Sequence, residues 1–209
     1  MSDPIPIPVP ERLTGREALT TNGQPAGWSL SDFWAWSSSD LLGNALRGML
    51  AEFIVGTALD CIGTDAVRQE WDATDLITKD GLAVEVKSTA YLQSWGPTTT
   101  GSLRFGIGET YGWDARSNTY SPEHKRQADA YIFCVFTAKD RSTADPLDTD
   151  QWEFYAVSTA CLNRTLGRQK SVALSVIKKL DGVTPGAYSD LADIVSRVLA
   201  GTDHHNRLK

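Results

Sequence analysis

The segment Asp75-Leu-Ile-Thr-Lys-Asp-Gly-Leu-Ala-Val-Glu85-Val-Lys87 sets two short apolar runs around Lys79-Asp80-Gly81. That tripeptide is a turn signal, so 71–77 and 82–88 read as the strands of a hairpin. Turn length decides which acid faces which. A two-residue turn at Asp80-Gly81 would set Leu76 opposite Glu85 and point Asp75 away. A three-residue turn with Gly81 left-handed sets Asp75 directly opposite Glu85, and glycine is the residue that third position wants. Alternation along a strand puts Glu85 and Lys87 on one face and Val84 and Val86 on the other, toward a core. Two facing carboxylates cost from a few tenths to about 1 kcal/mol unless something compensates. A divalent cation with a preference for hard oxygen ligands is the natural compensation. Asp72 lies on the opposite strand face in this register. A second E-x-K triplet, Glu123-His-Lys125, sits in a polar stretch and gains nothing from its surroundings.

Working outward, Ser37-Ser-Ser-Asp40 is a run of N-cap residues before a periodic apolar stretch that reaches Leu59. Leu42, Leu46, Met49, Leu50 and Phe53 form its expected stripe. Glu52 has apolar or small helical neighbours: Ala45, Gly48, Met49, Val55, Gly56 and Leu59. A carboxylate on the edge of such a face needs a partner or a proton. The partner is either the hairpin acids through a shared cation, or an arginine such as Arg47 or Arg68.

Upstream, residues 1–26 are rich in Pro, Gly and Thr and read as a flexible N-terminal arm. The aromatic segment 28–36 is expected to pack on the core, with base stacking the less favoured alternative. Downstream, a strand is expected at 103–107 and a polar irregular stretch at 109–127. The apolar run 130–137 suits a strand buried on both faces, and a further strand follows at 152–157. Helices are expected at 158–166 and 187–199, and 171–179 is left open. The result is one α/β (α+β) domain over 27–200 with a mobile C-terminal tail at 201–209. His204-His205 in that tail has no third ligand at useful spacing.

Composition narrows the function classes. Twenty basic against 26 acidic residues give a net charge of −6, which argues against coating nucleic acid through bulk charge. It leaves room for a nuclease, because a cation-loaded carboxylate cluster tolerates a polyanion. The cysteines Cys61, Cys134 and Cys161 form neither a disulfide framework nor a zinc pair, and read as buried reduced thiols. No apolar run approaches the roughly 18 residues of a membrane span. The proline-rich start is unlike a secretion signal, so a cytoplasmic setting is expected.

Helical Glu52 followed by Asp75…Glu85-Val-Lys87 resembles the PD-(D/E)XK nuclease superfamily, over roughly residues 40–160. The resemblance implies a restriction-endonuclease-like three-layer core of αβββαβ topology, a central mixed β-sheet flanked by helices. It places the acids and the lysine at one end of that sheet. Thr74 stands in place of the motif proline, which many members lack. Gln93 follows the lysine as a glutamine does in some subgroups, but position 97 is Pro rather than their tyrosine, so Gln93 is a secondary catalytic candidate.

The chemistry assigns roles to these groups. Asp75 and Glu85, with the Val86 carbonyl, would hold one or two Mg²⁺ (or Mn²⁺) ions, and Glu52 would bind metal directly or through water. Lys87 would orient the attacking water or offset charge on phosphorus, electrostatic support suiting it better than a general-base role. Arg104, Arg116, Lys125 and Arg126, with His124 nearby, are the candidate nucleic-acid contacts. Arg164, Arg168 and Lys170 form a second basic cluster. The expectation is a Mg²⁺-dependent nuclease acting on DNA. The alternatives are a catalytically silent nuclease-fold binding or scaffold module, and structural ion pairs in an unrelated fold. Many enzymes of this fold act as dimers, so a homodimer is among the expected partners, although no self-complementary face is marked.

Overall fold

The computed structural model describes residues 10–68, 73–94, 101–114 and 119–206. Near the N-terminus, β1 (Ala18–Thr21) and β2 (Gln24–Ser29) pair antiparallel around Asn22-Gly23, both at positive φ. Composition had this stretch as irregular arm; Asn-Gly is the hairpin signal it contains. Ser29 then starts α1 (Leu30–Ser38) with a capping box, its own N–H donating to the Asp32 carboxylate at 2.7 Å. The aromatics of this segment do not reach the core as expected. No residue of α1 is buried, and Trp28 and Trp36 are 65% and 84% exposed. The reason is that α1 is anchored to its own hairpin segment: Ser31 N–H donates to the Gly15 carbonyl, and the Trp34 ring lies against Gly15.

Ser37 and Ser38 end α1 rather than capping the next helix. That helix, α2 (Asn44–Ala58), begins after Gly43, which offers no side-chain cap. Its buried face is Arg47, Ala51, Ile54, Val55 and Gly56, while Met49 and Phe53 of the expected stripe are exposed. The helix is apolar on most sides, so periodicity alone admits two faces. The sheet takes the one with the small residues. A Cβ on Gly56 would come within 2.5 Å of Ile62 and 3.1 Å of Leu76, so glycine permits this approach.

The chain then forms β3 (Leu76–Ile77), β4 (Ala83–Ala90), β5 (Arg104–Gly106), β6 (Thr110–Asp114), β7 (Thr119–Lys125), β8 (Ala130–Phe136) and β9 (Trp152–Ser158). It finishes with α3 (Thr159–Leu166), β10 (Ser171–Ala173), α4 (Leu174–Ile177) and α5 (Leu191–Asn206). The central sheet runs β3-β4-β8-β9, with β4 and β8 parallel and the outer pairs antiparallel. Val84, Val86, Ile132, Cys134, Phe154 and Ala156 face α2 and α5. On the other face, Phe133, Val135, Tyr155 and Val157 pack with Phe105, Leu162, Leu174 and Ile177. The protein is therefore mixed α/β, a central mixed sheet with helices on both sides.

Two details depart from the expected order. All four sheet strands precede α3, whereas αβββαβ sets a helix before the last strand. The parallel step from β4 to β8 runs through β5–β7, without a helix among the described residues. The β8–β9 step is antiparallel and needs no crossover. The polar stretch 109–127 is not irregular, because β6 and β7 pair there, with Tyr111 against His124 and Trp113 against Tyr120, each at 4.8 Å between ring centroids. Helix α5 extends past the expected end at 199 to Asn206. Of the first expected hairpin strand, 71–77, only Leu76–Ile77 is paired, and residues 69–72 lie outside the described ones. Among the described residues no helix is long and apolar enough to cross a membrane.

Candidate functional site

The hairpin register is that of the three-residue turn. Leu76 pairs with Val84 and Ile77 with Ala83, Gly81 N–H donates to the Thr78 carbonyl at 2.9 Å, and Gly81 has φ +79°. Strand β3 begins only at Leu76, so beyond it no strand among the described residues pairs with this edge of β4. The Asp75 carboxylate fills the position of the missing strand, accepting the Val86 N–H at 2.7 Å. In a strand the N–H and C=O of one residue point to the same side, so the Val86 carbonyl faces this edge as well.

Glu85 and Lys87 stand on one strand face as the alternation requires, and the Lys87 ammonium donates to the Glu85 carboxylate. Glu52, from α2, is held by Arg68 through two bonds of 2.5 and 3.0 Å. Burial, then the charge of Glu85 and that of Glu52, push Asp75 up to about 6, against the pull of the Val86 N–H and of Lys87. The three acids are thus one electrostatic group. Behind them Tyr131, opposite Glu85 on β8, is pushed up as well, first by burial and then by Glu85.

The chemistry of this set fits a hard divalent cation: burial and two neighbouring carboxylates raise Asp75, at an edge that also carries a backbone carbonyl. Each flanking acid meanwhile has a basic partner, Lys87 for Glu85 and Arg68 for Glu52. Among the described residues no three His, Cys, Asp or Glu side chains converge into a metal cage.

The remaining expected site residues fall in different places. Gln93 lies past the end of β4, its Nε2 donating to the Ala90 carbonyl at 3.2 Å and its Oε1 facing Arg47 at 3.4 Å. These two bonds lead to neither Asp75 nor Glu85 nor Glu52. Arg104 is exposed and donates to Ser171 at 2.8 Å. Lys125 is exposed and paired with Glu123 at 2.7 Å, on β7 rather than in a loop. Arg116 lies outside the described residues. Arg126 does not belong to a nucleic-acid surface: it is 4% exposed and donates to Ile107, Asn163 and Gln169. A charge preceded by Glu123, His124 and Lys125 reads as surface, but here it fills the space between β5, α3 and the turn after it.

The sequence reading missed one further feature. A cavity of about 280 Å³ opens beside Glu85 and Lys87, lined also by Gly106, Glu109, Gln127 and Tyr131. Glu109 is flanked by His124 at 3.3 Å and Arg168 at 3.8 Å. The signal in the sequence is Gly106-Ile-Gly108-Glu109, where two glycines leave backbone uncovered ahead of an acid. The cysteines are free, but only Cys134 is fully buried; Cys61 and Cys161 are half-buried.

Curated proteins give no match to the chain. A family model described as Bacteriophage T4 endonuclease IV matches residues 29–175, which runs from the cap of α1 into α4 and takes in every acid of the site. With well over half of its length matched, the chain belongs to the bacteriophage T4 endonuclease IV family.

Proposed function

We propose that this protein is a Mg²⁺-dependent endonuclease that hydrolyses phosphodiester bonds in DNA, with a site of PD-(D/E)XK type built from Asp75, Glu85, Lys87 and Glu52. The observation that carries the reading is the Asp75 carboxylate held on the Val86 N–H at the edge of β4, where burial first, and then the charges of Glu85 and Glu52, raise it to about 6. Acids forced together without a cation cost stability, and function is the usual reason for retaining them. The family to which the chain belongs supports the endonuclease activity.

Asp75, Glu85 and the Val86 carbonyl would hold the metal, with Glu52 completing the set. When bound, the ion supplies Lewis acidity at the phosphoryl oxygen and a water of lowered pKa. Lys87, held by Glu85, would orient the attacking water and offset charge accumulating on phosphorus. Val86 N–H fixes the Asp75 carboxylate, so the ligand needs little rearrangement. Metal-dependent cleavage of DNA, assayed in the wild type and in Asp75→Ala, Glu85→Ala and Lys87→Ala, tests the reading. Cleavage surviving in all three would refute it.

A second reading is favoured by one observation: Glu85 and Glu52 already have the basic partners Lys87 and Arg68. In a catalytically silent module of the same fold these pairs would be the whole purpose of the acids. Titration with Mn²⁺ separates the two readings, because binding lost in Asp75→Ala belongs to the enzyme and absence of binding to the silent module.

A further inference from the structure

Arg47 is 3% exposed, in the first turn of α2. Its guanidinium donates to the Leu42 carbonyl at 2.9 Å, to Asn44 Oδ1 at 2.6 Å and to Gln93 Oε1 at 3.4 Å. All three acceptors are neutral. The buried Nε has no partner, and among the described residues no carboxylate pairs with the side chain. Burial lowers its pKa with no acid working against it, yet a guanidinium keeps its charge in a protein. Buried charges are ordinarily paired, so one countercharge is missing here.

The same place lacks a side-chain cap. Helix α2 has 15 residues, and its N-cap, Gly43, gives its first N–H groups no side-chain acceptor. Those groups carry the positive end of the helix dipole. Asp40 lies beside Gly43, but no bond joins its carboxylate to the first turn or to Arg47. An uncapped helix start and a buried, uncompensated arginine directed at it by its bonds to Leu42 and Asn44 make one anion site. Arg141 holds the adjoining segment, donating to the carbonyls of Gln93 and Ser94.

We propose that the N-terminus of α2, with Arg47 and Gln93, binds a backbone phosphate of the nucleic-acid substrate away from the acids. Arg47 precedes Glu52 by five residues on the same helix, about 7–8 Å along its axis. The anion site stands on its own geometry; that its ligand is nucleic acid rests on the nuclease reading.

Replacing Arg47 tests folding as much as binding, since it carries three bonds in the core. Asn44→Asp is the sharper variant: it sets a carboxylate on the guanidinium and at the helix start, which suits the fold and competes with phosphate. Gln24→Glu on β2 makes the same charge change elsewhere and is the control. Binding of inorganic phosphate and of a labelled single-stranded oligodeoxynucleotide is measured in EDTA at several salt concentrations. The expected result is an Asn44→Asp protein with melting temperature equal to or above wild type. It loses phosphate binding and at least tenfold in oligonucleotide affinity, with the salt slope reduced by about one, while Gln24→Glu behaves as wild type. Asn44→Asp binding both probes like Gln24→Glu would overturn the site. Phosphate binding lost in Asn44→Asp but no oligonucleotide binding in any form would keep the anion site and overturn its assignment to nucleic acid.

Discussion

The Val86 N–H donates to the Asp75 carboxylate at 2.7 Å, so a side chain takes over hydrogen bonding where strand β3 has ended. This ties the acid to the same stretch of β4 that carries Glu85 and Lys87.

Asp75 makes the metal-free protein sensitive to pH. Its folded value is about 6 against an ordinary 3.8, so between these the folded chain binds more protons than the unfolded one. Stability then falls as pH rises from about 4 to about 6, by an amount of order 2 kcal/mol after allowance for partial exposure. Asp75→Asn, which mimics the protonated acid, is expected to flatten that part of the curve and to melt above wild type at pH 7. Thermal melts in EDTA from pH 4 to 8 measure it, and an unchanged slope in the variant would remove Asp75 as the source.

The order of causes at Asp75 predicts an order of effects. Glu85→Gln removes the larger of the two repulsive charges and Glu52→Gln the smaller. Both should lower the Asp75 carboxyl, the first by more, as followed by carbon-13 titration of the side-chain carboxyl. Equal or reversed shifts would mean that the acids are arranged otherwise.

Lys87→Met should lower cleavage by about 100- to 1000-fold, the range for losing one aimed donor, while leaving Mn²⁺ affinity at least as high as wild type. Single-turnover kinetics alongside calorimetry distinguish this from a loss of metal. A variant that loses both together would mark Lys87 as structural.

Arg126→Ala tests a structural role. Three acceptors in the packed region lose their partner, and the cost should be about 3 kcal/mol or more in urea unfolding. Oligonucleotide affinity of the protein that remains folded is expected to stay within about threefold of wild type, since the side chain offers no free donor at the surface.

The hairpin register was readable in the sequence because only one turn length places Gly81 where a positive φ is needed, and that choice fixes Asp75 opposite the Glu85 end of β4. The buried strand β8 was equally readable, since seven apolar residues in a row have no other home. What escaped was decided by tertiary partners. The face of α2 could not be chosen from its own pattern, and the close approach at Gly56 chose it. Pro122 and the polar residues of β7 disguise a strand whose pairing depends on rings across the hairpin. Arg68 and Glu52 sit 16 residues apart, and only the fold decides that they meet. Asn22-Gly23, by contrast, was a turn signal overlooked beneath the composition around it.

The unit made of β1, β2 and α1 has a consequence for spectroscopy. It buries no side chain, so its amides should exchange with solvent through local openings far easier than the unfolding that frees β8. Trp28, Trp34 and Trp36 all belong to it and are already solvent-exposed, whereas Trp152 is enclosed beside Phe136 and Phe154. The emission of these three will therefore be red-shifted from the outset and change little on denaturation, while that of Trp152 shifts as the core opens.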